Sequence, residues 1–213
     1  FYFCSFLMKG SSIIILSWIL LSFTFCIWVE YSSELQQAYE WAYENKITTM
    51  DSIENANMKW DITREEMAKM ISNYAINILW KILDNTKTCL FIDSNINPDL
   101  VESVIKSCQL WFMGQWVTSF RPKDLVTRAE FWTVLSRALR WDKYEWWSTY
   151  YENHLKALKS EWIMNKIDTP MSKEMRWYVM LMLMRSDPDY FQSYDDEDYA
   201  EYYDISYVME MLD

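Results

Sequence analysis

Leu125–Ser136, which reads LVTRAEFWTVLS, carries the clearest signal of the fold in this chain. A threonine precedes an arginine, a glutamate follows three residues after the threonine, and apolar residues then recur with helical spacing. In such a capping box the threonine hydroxyl accepts a hydrogen bond from the glutamate amide, and the glutamate carboxylate accepts one from the threonine amide. Thr127 and Glu130 are therefore predicted to cap a helix that begins near Arg128.

A second copy of this pattern lies about 64 residues earlier in the chain. Asp61–Ser72 reads DITREEMAKMIS, with Thr63 and Glu66 as the predicted capping pair and Arg64 between them. Its apolar residues also follow helical spacing. Two helices with the same kind of start are therefore expected.

A third copy, Met171–Met180 (MSKEMRWYVM), is weaker and lies about 45 residues after the second. We align Ser172 with the capping threonines and Lys173 with the arginines, while Met175 replaces the glutamate. An amphipathic segment precedes each capped helix, and no segment shows strand alternation. These sequences predict an all-α fold of three helix–loop–helix repeats, whose first helices span 34–45, 98–110 and 151–161.

Glycine and tryptophan are present in unusual numbers. The chain has 2 glycines and 13 tryptophans, whereas about 7% glycine, or about 15 residues, is typical of this length. Trp111 and Trp162 follow predicted helix ends, Trp60 precedes a helix start, and Trp146 and Trp147 lie in a charged loop, all places that favour glycine. We interpret the gene as coming from a bacterium that reads UGA as glycine, translated here with tryptophan; a truly tryptophan-rich protein is the alternative.

The N-terminal segment predicts export. Met8 is the expected start, and residues 13–29 form an uncharged apolar run that suits either a signal peptide or a membrane anchor. A buried core helix is the alternative, although such a helix would normally carry a polar face.

Cysteine usage is compatible with export. Cys4 and Cys26 lie before or inside the apolar segment, which leaves Cys89 and Cys108 in the body. Two cysteines in an exported domain can pair, and two buried free thiols are the alternative. We predict that Cys89 and Cys108 approach within the roughly 7 Å between Cα atoms that a disulfide requires.

The charge pattern and the residue inventory exclude several function classes. A net charge of −11 argues against nucleic-acid binding, which needs clustered lysine and arginine. His154 is the only histidine, so a multi-histidine metal site is excluded, and no phosphate-binding glycine loop is present. We therefore expect no catalytic site, no metal and no cofactor, and we assign no site to the acidic residues 189–213.

The second repeat resembles a known family, the S-layer-homology domain. It contains Phe91-Ile-Asp93, Phe120-Arg-Pro122 and a Thr-Arg-Ala-Glu helix start, and the resemblance extends over roughly residues 33–187. The resemblance implies three repeats about a pseudo-threefold axis, and non-covalent attachment of the protein to cell-wall polysaccharide at the cell surface. The expected organisation is a leader (1–31), three repeats (32–88, 89–147 and 148–188) and an acidic tail (189–213).

The resemblance also implies ligand-binding residues. The arginine of the Thr-Arg-Ala-Glu motif would hold an acidic sugar substituent, a role that falls on Arg128 and Arg64 and, in the third copy, on Lys173, whose ammonium lacks the planar fork of arginine. Arg128 would also share its helix N-terminus with free backbone amides. In the alternative interpretation the threonines and glutamates only cap helices and the cations are solvated.

Two other functions are compatible with the repeats. One is a helical protein-interaction module of the tetratricopeptide kind, although its period of about 34 residues differs from the spacings of about 64 and 45 found here. The other is the wall-binding portion of a longer carbohydrate-active enzyme.

Overall fold

Helices dominate the part of the chain that the structure describes. The computed structural model describes residues 31–141, 143 and 151–191. Within these ranges the only β-type pairings are three isolated bridges, so the fold is all-α, as predicted. The helices are α1 (Ser33–Glu44), α2 (Arg64–Asn77), α3 (Val101–Gln109), α4 (Arg128–Arg140), α5 (Glu152–Ser160), α6 (Arg176–Arg185) and α7 (Pro188–Phe191), and a 3₁₀ turn, Pro98–Leu100, precedes α3.

Several features expected from the sequence lie outside the described residues. They are the apolar run 13–29, the pair Trp146 and Trp147, and the acidic tail beyond residue 191. No helix within the described ranges combines the length and the apolar character needed to cross a bilayer.

Capping boxes begin both α2 and α4. Thr63 Oγ1 accepts a hydrogen bond from the Glu66 amide at 3.4 Å, and the Glu66 carboxylate accepts one from the Thr63 amide at 2.9 Å. The equivalent distances between Thr127 and Glu130 are 3.3 and 2.8 Å. The motif therefore starts each helix at the residue that the sequence predicts.

The third capped helix begins three residues later than the alignment predicts. Its N-cap is Met175, whose side chain makes no capping hydrogen bond, so the placement of Ser172 at the cap and of Lys173 at the arginine position is wrong. As at the starts of α2 and α4, the first two amides of α6 donate to carbonyls elsewhere in the chain: the Arg176 amide to Trp60 O at 3.0 Å and the Trp177 amide to Met58 O at 2.9 Å. Arg176 therefore takes the place of Arg64 and Arg128.

The helices pack in a cyclic order. α2 packs on α3, α4 packs on α5, and α6 packs back on α1, so α2 and α4 each contact the next helix along the chain and α6 contacts the first. Arg185 at the end of α6 forms an ion pair of 2.7 Å with Glu34 at the start of α1. The ends of the described chain thus meet.

The segments before the capped helices form what we name the central junction, residues 58–63, 122–127 and 170–175. At its centre the Val126 amide donates to Ile62 O, the Glu174 amide to Val126 O, and the Ile62 amide to Glu174 O, at 2.9–3.0 Å. The starts of the three helices repeat this order, since each arginine amide donates to a carbonyl of another segment: Arg64 to Asp124, Arg128 to Ser172 and Arg176 to Trp60. The three segments therefore bond in equivalent ways around a closed ring.

A disulfide joins Cys89 to Cys108, with Cα atoms 6.2 Å apart. It ties the loop after α2 to the last turn of α3. The cysteines of the body are therefore paired rather than free.

Tryptophans occupy backbone conformations that favour glycine. Eight described residues other than glycine have positive φ, and five of them are tryptophans with φ of 54–65°. Such angles are uncommon outside glycine and are enriched in asparagine, aspartate and histidine rather than in tryptophan. All five indoles are exposed, from 38% to 92%. They are Trp80, Trp111, Trp116, Trp141 and Trp162.

The expectations for individual tryptophans have different outcomes. Trp111 and Trp162 are exposed and left-handed directly after the C-caps of α3 and α5, as expected of replaced glycines. Trp60 is 65% exposed, but it is not among the left-handed residues.

Candidate ligand-binding site

Three arginines, one at the start of each capped helix, point into the boundaries between repeats. Arg64 on α2 is held by the next repeat: its Nη1 lies 3.3 Å from Glu130 Oε1, and its Nε donates to Phe120 O at 3.0 Å. The guanidinium also lies 5.3 Å from the centroid of the Phe120 ring. Arg64, which we expected to bind ligand, is therefore engaged in joining the first repeat to the second.

Arg176 has the same role between the third repeat and the first. Its Nη2 lies 2.5 Å from Glu66 Oε1, and its Nη1 donates to Ala56 O at 2.8 Å. Glu66 and Glu130 thus serve two purposes, because each caps its own helix and also binds the arginine of another repeat.

Arg128 breaks this pattern. The third repeat has Tyr178 where the other two have their capping glutamates, and the Arg128 guanidinium lies 5.5 Å from the centroid of that ring. Arg128 Nη1 donates to Thr169 Oγ1 at 2.8 Å, whereas its Nε is buried and has no hydrogen-bond partner among the described residues. The carboxylate paired with it, Glu174, is 3.9 Å from Nε, beyond hydrogen-bond distance. Arg128 therefore lacks the close carboxylate contact that Arg64 and Arg176 make, and its Nε donates to no described residue.

Glu174 occupies the centre of the junction, in the position that Ile62 and Val126 hold in the other repeats. It is 1% exposed, and its Oε2 has no hydrogen-bond partner among the described residues. Burial raises the pKa of Glu174 to about 7, although Arg128, the Met175 amide and the Trp132 indole act in the opposite direction. This carboxyl group therefore changes charge near neutral pH.

The backbone amides at the start of α4 are not free. The Arg128 amide donates to Ser172 O at 2.9 Å, the Ala129 amide to Pro170 O at 2.8 Å, and the Glu130 amide to the Thr127 hydroxyl. The expectation that free amides would help Arg128 hold an anion is therefore wrong, because the segment before α6 covers them. Any anion bound here would depend on the guanidinium.

Lys173 lies two residues before the cap of α6, at the position of Asp61 and Leu125 in the other repeats. Its Nζ donates to Leu125 O at 3.0 Å across the junction. The predicted role of Lys173 as a counterpart of Arg128 is therefore not supported by its position.

Sequence reasoning missed Arg176 and Glu174. Aligning the third copy on its Met175-Arg176 pair, rather than on the hydroxyl of Ser172, would have placed Arg176 correctly. Glu174 is one of 31 acidic residues and carries no local signal. Only the junction geometry distinguishes it.

The single histidine lies in the packed interior between two helices. His154 on α5 is fully buried, and its Nδ1 lies 2.9 Å from Ser136 Oγ on α4, so it links two packed helices. Among the described residues, no group of three or more histidine, cysteine, aspartate or glutamate side chains could hold a metal ion.

Comparison of the chain with models of known protein families and with curated protein sequences gives no match.

Proposed function

We propose that residues 32–188 form three S-layer-homology repeats about a pseudo-threefold axis, and that the module attaches an exported protein non-covalently to cell-wall polysaccharide. The closed ring of equivalent hydrogen bonds at the central junction supports this architecture. The N-caps of the three helices also support it. They are Thr63, Thr127 and Met175, and each forms an equivalent backbone bridge with another segment of the junction.

The closed arrangement favours this proposal over an interaction module of the tetratricopeptide kind. In such solenoids each repeat contacts only its neighbours along the chain, so the first and last helices remain apart. Here α1 packs on α6, with the 2.7 Å ion pair between Glu34 and Arg185. In this closed arrangement the binding surfaces would be grooves between repeats, whereas a solenoid offers one extended concave face.

Arg128 is the residue that we propose to bind an acidic group of the polysaccharide. The observation that carries this assignment is the contrast among the three arginines, two of which bind a capping glutamate, while Arg128 has a tyrosine there and an unpartnered Nε. A guanidinium presents a planar set of donors that matches a carboxylate. The Arg128 side chain is also the most exposed of the three, at 20%, compared with 14% for Arg64 and 11% for Arg176.

We also propose that the natural chain has glycine at the left-handed tryptophan positions. The five φ values of 54–65° support this, because glycine adopts such angles without steric cost. Two of these positions directly follow the C-caps of α3 and α5, where a left-handed glycine normally ends a helix.

A pull-down on purified cell-wall sacculi tests the attachment function. The protein is expected to sediment with sacculi that retain a carboxylate-bearing polysaccharide, and to remain in solution when the polysaccharide has been extracted. Equal sedimentation with both preparations, or with neither, would refute the proposal.

Three variants then test the site. Arg128→Ala is expected to lose most of the binding with unchanged helix content by circular dichroism, and Arg128→Lys is expected to lose nearly as much because it lacks the planar fork. Lys156→Ala, which removes one positive charge from the exposed face of α5, is the charge-matched control and should bind as the parent does. Parental binding by Arg128→Ala would overturn the site assignment alone.

A further inference from the structure

The third repeat has exchanged the positions of an acidic and a neutral residue relative to the other two. In the first and second repeats the residue before the cap is apolar, Ile62 or Val126, and the third helical position is a glutamate. In the third repeat the residue before the cap is Glu174 and the third helical position is Tyr178. The carboxylate nearest to Arg128 therefore comes from the buried centre of the fold, not from a partly exposed helix end.

This carboxylate competes with any anion for the same guanidinium. Glu174 lies 3.9 Å from Arg128 Nε, whereas the other charged group that acts on it, Asp61, precedes α2 and opposes its ionisation. A ligand carboxylate bound to Arg128 would place a second negative charge beside the first. Two carboxylates that share one site do not both ionise readily, so one of them takes up a proton.

We infer that an acidic sugar substituent binds at Arg128 together with a proton at Glu174, so that attachment is strong in mildly acidic surroundings and weakens as the pH rises. This inference rests on the proposed wall-binding function and adds its regulation. The geometry supports this inference, because the Arg128 Nε and the Glu174 Oε2 are both buried and neither has a hydrogen-bond partner among the described residues. The proton would neutralise the buried Glu174, and the ligand carboxylate would then supply the negative charge opposite Arg128.

The size of the effect follows from the titration of one group. With a pKa of about 7 for Glu174, about nine-tenths of the free protein carries the proton at pH 6 and about one-tenth at pH 8, so affinity should fall about tenfold over this interval. General repulsion between the ligand and a protein of net charge −11 also grows with pH. A variant that removes only the Glu174 titration separates these two causes.

The experiment measures the affinity of the parent and of Glu174→Gln for sacculi that retain a carboxylate-bearing polysaccharide, at pH 6 and pH 8 and at constant ionic strength. The parent should lose about tenfold in affinity, whereas Glu174→Gln, which mimics the protonated acid, should bind at pH 6 as the parent does and should lose at pH 8 only the small part that general repulsion causes. Glu174→Val, which restores the apolar residue of the second repeat, provides a second test in case glutamine disturbs the junction.

The outcomes separate this inference from the proposed function. A parent that binds equally at pH 6 and pH 8, or variants that retain its pH dependence, would overturn the coupling and leave wall attachment in place. A parent that binds at neither pH would overturn both.

Discussion

The identity of the side chains at left-handed positions can be tested by comparing glycine with alanine. Each of Trp80, Trp111, Trp116, Trp141 and Trp162 is replaced once by glycine and once by alanine. Both replacements remove the indole and whatever it buries, so their difference reports only the backbone. Trp60, which is exposed but not left-handed, is the matched control.

The expected magnitude follows from two opposing effects. A residue with a Cβ costs about 1–2 kcal/mol in the left-handed region, whereas glycine costs about 0.4–1 kcal/mol more entropy on folding than alanine. At the five positions with φ of 54–65°, glycine should therefore be the more stable by about 1 kcal/mol. At Trp60 only the entropy effect acts, so alanine should be the more stable, by about 0.4–1 kcal/mol. Trp141 should show the largest difference, because its ψ of −137° lies outside the left-handed helical region as well.

Urea unfolding monitored by circular dichroism measures this difference through the midpoint at constant slope. Trp116 is the clearest single site, since its side chain is 92% exposed and its removal disturbs little packing. The reasoning fails if alanine is at least as stable as glycine at all five positions, or if Trp60 shows the same sign as they do.

Four further predictions concern the stability of the fold and the residues at the recoded positions. Thr127→Ala should lower the free energy of unfolding by about 1 kcal/mol through the lost cap, and an unchanged urea midpoint would contradict the capping role. Folding raises the pKa of Glu174 from 4.5 to about 7. The protonated acid therefore contributes fully to the free energy of unfolding below about pH 4.5, and this contribution is lost as the pH rises through about 7. Parent stability should therefore fall on the order of 3 kcal/mol more than that of Glu174→Gln between pH 4.5 and pH 8, and equal pH profiles would refute the assignment. Reduction of the Cys89–Cys108 disulfide should cost roughly 3 kcal/mol of stability, which thermal unfolding with and without a reductant measures; identical melting temperatures would contradict it. Peptide mass spectrometry of the protein isolated from its own organism should find glycine at positions 111, 146, 147 and 162, and tryptophan there would refute the recoding.

Local sequence signals predicted the parts of the fold that local bonds determine. Both capping boxes were found because the threonine hydroxyl, the glutamate carboxylate and the amides that they bind lie within four residues of chain. The start of α6 was misplaced because its N-cap, Met175, makes no side-chain capping bond, so only amide bonds to Trp60 O and Met58 O, more than a hundred residues away in sequence, mark it. No residue near Met175 in the sequence indicates that these two carbonyls bind the start of α6.

The candidate site, like the fold, could be predicted from the sequence only in part. Arg128 could be chosen from its motif, but its difference from Arg64 depends on which residue of another repeat faces it. Glu174 could not be found, since its burial results from the closure of all three segments at the junction. Glycine-like positions were correctly expected at Trp111 and Trp162, because the sequence marks the ends of α3 and α5, whereas no such signal marked Trp80, Trp116 and Trp141.

The cyclic packing of the helices has a consequence for biosynthesis. The pairing of Glu34 with Arg185 joins residues separated by 151 positions, and α1 has no other helix to pack on extensively until α6 exists. At synthesis rates of about 5–20 residues per second, roughly 8–30 seconds pass between the synthesis of α1 and that of α6. Loss of the last repeat would leave the apolar face of α1 uncovered, whereas an open solenoid loses only the stability of its end. The ring of helices therefore closes only after α6 has been synthesised, which makes the packing of α1 depend on a helix near the other end of the described residues.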